Sequence, residues 1–130
     1  MERRYVTIAE VEEIHRRVLL HAGGSPGIRD RGALESAVFR PQSGYYADAI
    51  EEAAALMESL TNNHPFVDGN KRTAFVTTDA FLKANGLHIQ CTSEEAEEFF
   101  LSNLHKGTFR FPQICDWLRK VVKPYPSTKR

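Results

Sequence analysis

The chain has 130 residues, 17 Lys plus Arg against 17 Asp plus Glu, and 42% hydrophobic residues. That length suits one domain built on one core. A formal charge of zero leaves no basic excess of the kind nucleic-acid binders use to displace counterions, so direct nucleic-acid binding is not expected. The longest apolar run, Ala53 to Met57, is five residues, far short of a membrane span. Glu2, Arg3, Arg4, Glu10, Glu12 and Glu13 interrupt any leader-peptide core. Cys91 and Cys115 are too few for a disulfide framework and lack metal spacing, so buried free thiols in a reducing cytoplasm are expected. The zero is a sum of unlike halves: residues 1–65 carry 7 basic and 10 acidic side chains, and residues 66–130 carry 10 and 7. The cluster Glu94, Glu95, Glu97 and Glu98 reads as a solvated helix face, and residues 119–130 as a basic, frayed end.

In chain order, Tyr5 to Ile8 reads as a short extended lead-in. Thr7 and Glu10 have the spacing of a capping box. Ile8, Val11, Ile14, Val18 and Leu19 then recur at helical spacing up to Gly23-Gly24. A second helix fits Gly32 to Arg40 and stops at Pro41. Pro41 to Ala47 has no helical period and reads as a loop. Asp48 with Glu51 offers a second capping box, and Ile50, Ala53, Leu56, Met57 and Leu60 line one face of a helix ending near Asn62-Asn63. The next helix starts near Asn70 and runs to Asn85-Gly86, with Ala74, Phe75, Thr78, Phe81 and Leu82 inward. Leu87 to Cys91 is a short extended connection. Thr92 or Ser93 caps a helix holding Phe99, Phe100 and Leu104, closed by Gly107. Pro112 suits the first turn of a last helix whose inner face is Ile114, Trp117, Leu118 and Val121. No stretch alternates for more than about four residues, so the prediction is all-α with six helices and little strand.

The informative stretch is His64-Pro65-Phe66-Val67-Asp68-Gly69-Asn70-Lys71-Arg72, between two long helices. Pro65 and Gly69 make it a turn, and the helix that follows points its first free N–H groups at that turn. Free amides and the helix dipole together form an anion site, and Gly69 lets a phosphate approach the backbone. Lys71 and Arg72 in a first helical turn oppose the dipole, and a bound polyphosphate would offset this. Asp68 is either a cap or a hard oxygen ligand for Mg²⁺. His64 is the one side chain of the turn that titrates near neutral pH, hence the natural general base. Phe66 plugs inward. Zinc held by His64 and Asp68 has the spacing but no third ligand nearby, and a magnesium–nucleotide site accounts better for Lys71 and Arg72. His15, His21, His88 and His105 show no partner spacing and receive no role.

The run HPFVDGNKRTA resembles the signature loop of the Fic/Doc family, and more closely that of its death-on-curing (Doc) branch, the toxins of toxin–antitoxin pairs. Thr7 to Val11, Gly23 to Asp30, and Ala33 to Ala37 ahead of Arg40-Pro41 are Doc-like as well, so the resemblance covers nearly the whole chain. It implies a compact single-domain helical bundle of about six helices with at most a short flap hairpin, the flap falling around Ser43 to Tyr46, where a target chain docks.

Fic relatives transfer AMP from ATP with a loop of the form His-x-Phe-x-Asp/Glu-Gly-Asn-Gly-Arg-x-x-Arg. Here Lys71 replaces the glycine after the Asn, and Phe75 stands where the second Arg would hold distal phosphates. Lys71 is the Doc-type residue, and Doc proteins resemble kinases that deliver the γ-phosphate of ATP to a threonine of elongation factor Tu. Both departures favour phosphorylation over AMP transfer. Carried over by residue, His64 takes the proton from the target hydroxyl, Asp68 holds Mg²⁺, and Gly69, Asn70, Lys71 and Arg72 bind the phosphates of ATP. The implied partners are a translation elongation factor as protein substrate and a cognate antitoxin. No Ser/Thr-x-x-x-Glu-Gly/Asn inhibitory pattern occurs in the chain, consistent with silencing by a separate antitoxin. AMP transfer, a catalytically silent regulatory member, and action on another phosphorylated small molecule remain the alternatives.

Overall fold

A computed structural model describes residues 2–126. Six α-helices appear in order: α1 (Ile8–Ala22), α2 (Arg31–Phe39), α3 (Ala49–Asn62), α4 (Asn70–Ala84), α5 (Ser93–Lys106) and α6 (Phe111–Val121). Two short strands, β1 (Leu87–Ile89) and β2 (Val122–Pro124), pair antiparallel. The all-α expectation holds. No helix among the described residues is long and apolar enough to cross a membrane.

Most helices start where a short polar side chain satisfies a free amide of the first turn. Thr7 and Glu10 close a reciprocal box on α1, and Thr92 and Glu95 do the same on α5. Asp30 caps α2 by accepting from Ala33 N–H. Asp48 caps α3 by accepting from Glu51 N–H, but the Glu51 carboxylate turns to Ala47 N–H, so the expected box is half formed. Burial pushes the Asp48 carboxyl up, yet the bonds from Glu51 N–H and Arg119 outweigh it and hold it below its ordinary value. The expected loop at Pro41 begins instead as a 3-10 turn over Arg40–Ser43, which the fixed φ of Pro41 suits, and it closes at Gly44 with φ 84°.

At the centre lies α3, packed on α2, α4 and α6. Its sequence predicts one apolar face, but the helix is buried on almost every side from Glu52 to Thr61. Ala53, Ala54 and Ala55 let its neighbours approach closely. This encloses two carboxylates. Glu52 accepts from Arg3 Nε at 2.7 Å and from the Tyr5 hydroxyl at 2.9 Å. Glu58 pairs with Arg40 Nη1 at 2.8 Å and Arg110 Nε at 3.3 Å, and accepts from Phe111 N–H at 2.9 Å. In the last contact Glu58 serves as the cap that α6 does not carry itself. The last helix packs Ile114 and Leu118 into the core, while Trp117 stacks on Phe99 at 4.3 Å.

The two strands lie elsewhere than the flap. Residues 43–46 contain no strand, and the antiparallel pair instead joins Leu87–Ile89 to Val122–Pro124 across α5 and α6. The basic end is ordered into structure as far as it is described: Arg119 closes α6 on Asp48 at 3.1 Å, and Lys123 sits opposite His88 in the sheet. Residues 127–130 of that end lie outside the described residues.

Two stability changes of opposite sign follow. Glu58→Ala removes the carboxylate that pairs with Arg40 and Arg110 and leaves Phe111 N–H without its partner, and unfolding by urea should show a loss of about 2–4 kcal/mol. Thr77, on α4, is fully buried and its hydroxyl has no partner. Thr77→Val removes that unsatisfied group and should raise stability by about 1 kcal/mol in the same assay.

Candidate phosphate-binding loop and groove

The segment His64–Arg72 joins α3 to α4 and is fastened at its middle. Phe66 is buried and stacks flat on His15, ring centroids 3.8 Å apart. Asn70 accepts from Phe66 N–H at 3.0 Å and donates to Phe66 C=O at 2.9 Å, closing a ring across the turn. Asn70 can therefore meet a phosphate only through its main chain. That side chain is buried and consumed by the loop, and only its main-chain N–H is left for a ligand.

Gly69 is the N-cap of α4, at φ 78°, and no side chain caps this helix. Asp68 is not the cap: its Oδ1 accepts from Gly69 N–H at 2.9 Å and its Oδ2 from Ser25 N–H at 3.2 Å. A Cβ at position 69 would meet Leu19 at 3.3 Å, so the glycine serves the left-handed turn and the packing on α1. The N–H groups of Asn70, Lys71 and Arg72 precede the first intrahelical bond, from Thr73 N–H to Gly69 C=O. Lys71 and Arg72 are exposed and make no ion pair among the described residues.

Asp68, Lys71 and Arg72 line a groove of about 830 Å³ together with Arg17, Glu97, Phe75, Val76 and Leu101. The open amides, the two cations and the carboxylate of the loop thus share a concave surface with Arg17 and Glu97. Asp68 keeps free lone pairs and is exposed, which fits a Mg²⁺ ion that takes one carboxylate and completes its shell with water and phosphate oxygens. His64 stands outside the groove lining. It is exposed, and neither ring nitrogen is engaged by another described residue.

Two residues of this site carry no signal strong enough to read from sequence. His15 is buried, and its Nε2–H donates to Asp68 C=O at 2.8 Å. Its place between Val11 and Val18 on the inner stripe of α1 was the available clue. Arg29 donates to the carbonyls of His64 and Asn63 at 2.6 and 2.8 Å, a contact that its position in a loop does not announce.

The chain belongs to the Fic/DOC family: a sequence model of that family matches residues 5–82, from the lead-in of α1 almost to the end of α4. Within the family it stands on the Doc branch. Toxin Doc of Mycolicibacterium smegmatis is 47% identical over 72 residues, which is 52% of this chain and 55% of that relative. The chain thus matches about half the length of the mycobacterial toxin. Protein kinase doc of Escherichia phage P1 is 27% identical over 122 residues, covering 91% of this chain and 95% of the phage protein.

The two roles of residues 70 and 71 separate by stability. Asn70→Ala leaves two buried main-chain groups unpaired and should cost about 2–4 kcal/mol in chemical unfolding. Lys71→Ala, on the surface, should stay within about 0.5 kcal/mol of the parent.

Proposed function

We propose that the chain is a Doc-type toxin: a single-domain cytoplasmic kinase that moves the γ-phosphate of ATP to a Ser or Thr hydroxyl of a translation factor. Elongation factor Tu is the target that the family resemblance implies. A small antitoxin would silence it. The observation that carries this reading is the uncapped start of α4, where three main-chain N–H groups share a groove with Asp68, Lys71 and Arg72. The alignment with a phage protein named a kinase, over nine-tenths of the chain, supports the same chemistry.

Each residue has a role that its surroundings permit. The amides of residues 70–72 and the cations of Lys71 and Arg72 hold the phosphates. Asp68, oriented by Ser25 N–H and Gly69 N–H, would hold magnesium. Bound magnesium would neutralise charge on the transferring and leaving phosphates. An unengaged ring nitrogen of His64 accepts the proton of the target hydroxyl. A bond then forms from that oxygen to the γ-phosphorus as the bond to the β-phosphate oxygen breaks, and ADP leaves. Phe75 occupies the position at which AMP-transferring relatives carry a second phosphate-binding Arg, and this favours delivery of the terminal phosphate. The apolar part of the groove wall, where Val76 and Leu101 are exposed, suits the apolar face of an antitoxin helix.

Incubation with ATP labelled at either phosphate, in the presence of elongation factor Tu, tests the reading. Label from the γ-phosphate is expected on the factor, reduced at least about 100-fold by His64→Ala. Label from the α-phosphate alone would replace kinase action with AMP transfer.

A further inference from the structure

Residues 24–30 run antiparallel along the signature loop, with Ile28 bridged to Phe66. Gly27 C=O accepts from Val67 N–H at 3.0 Å, and Ser25 N–H reaches Asp68. At the other end of this pairing, four hydrogen bonds converge on three successive carbonyls. Arg29 Nη2 donates to Asn63 C=O at 2.8 Å and Arg29 Nε to His64 C=O at 2.6 Å. The N–H groups of Arg29 and Asp30 both donate to Pro65 C=O, at 2.7 and 3.0 Å.

Between those carbonyls lies the one non-glycine residue with positive φ among the described residues, His64 at φ 48°. For a residue with a Cβ that region is disfavoured against the right-handed conformation, because the Cβ crowds the following carbonyl oxygen. Pro65 adds to this, because a residue before proline favours extended backbone near φ of about −120°. Local preference therefore works against the observed backbone at His64, and tertiary bonds must hold it. We propose that Arg29 is the positioning residue of His64: its planar fork grips the carbonyls on either side of the His64 N–Cα bond and keeps the imidazole facing out of the loop. The proposal rests on His64 being the general base. The phosphate-binding half of the loop has separate supports, since His15 and Ser25 hold Asp68 while Asn70 locks onto Phe66. Arg29 thus acts on the proton-accepting half alone. A lysine keeps the charge at position 29 but offers one ammonium in place of a two-pronged fork.

Three measurements on the parent and Arg29→Lys test this, with Arg29→Ala as a second variant. Backbone ¹⁵N relaxation should show Asn63 and His64 gaining nanosecond motion and the His64 ring resonances shifting, with Asp68 to Arg72 unchanged. The dissociation constant for magnesium–ATP should stay within about twofold, and γ-phosphate transfer should fall at least about tenfold, values that separate orientation from binding. Unchanged relaxation and ring shifts at His64 in both variants would overturn the proposal. So would a nucleotide affinity that falls in step with transfer, since Arg29 would then be supporting the whole loop. If His64 loosens as expected while the parent itself transfers no phosphate, Arg29 keeps its role in holding His64 and the kinase reading fails.

Discussion

The paired hydrogen bonds between the Asn70 carboxamide and both main-chain groups of Phe66 fix where the loop stops and α4 begins. With that ring closed, Phe66 enters the core against His15, and the chain has three residues, Val67 to Gly69, in which to turn into the helix. The left-handed Gly69 then takes the capping position, and Asp68 is carried past it toward Ser25. A carboxylate at the cap would have bonded to the second or third amide of α4 and neutralised the dipole there. Displacing it by one residue leaves those amides open and the carboxylate beside them. A single structural contact thus creates the two features on which the proposed chemistry depends.

Comparison among the helices sharpens this. The first turns of α3 and α5 contain acidic residues that complement the dipole, and both helices are capped by a side chain. The first turn of α6 borrows a carboxylate from α3. Only α4, among the described helices, combines an uncapped start with two cations placed against the dipole. At the other five starts a side-chain cap or a borrowed carboxylate meets a first-turn amide, so the open start of α4 supports the proposed phosphate site.

Features set by short-range chemistry were legible in the sequence. Thr7, Thr92 and Asp48 cap within three residues of themselves, and the helical period reports on neighbours four residues away, so the six helices were predictable. The inward Phe66 was legible too. What escaped depended on distance along the chain. Nothing near Glu52 or Glu58 indicates that Arg3 and Phe111 will close on them from 49 and 53 residues away. The pairing of Leu87–Ile89 with Val122–Pro124 is equally remote, and each strand is too short to alternate. Within the site, a phosphate-facing and a loop-facing Asn70 look alike in sequence; only the two unmet main-chain groups of Phe66 decide between them.

The replacement of the second signature Arg also has a packing reason. Phe75 is half-buried and meets Phe100 of α5 edge-on, ring centroids 6.3 Å apart. Phe75 also lines the groove that holds Asp68, Lys71 and Arg72, so an aromatic contact with α5 stands where the signature would put a second cation. The loop's cations are thereby confined to Lys71 and Arg72, in the first turn of α4. In the proposed reaction these two cations would meet the transferring phosphate. That distribution is compatible with the proposed delivery of a terminal phosphate.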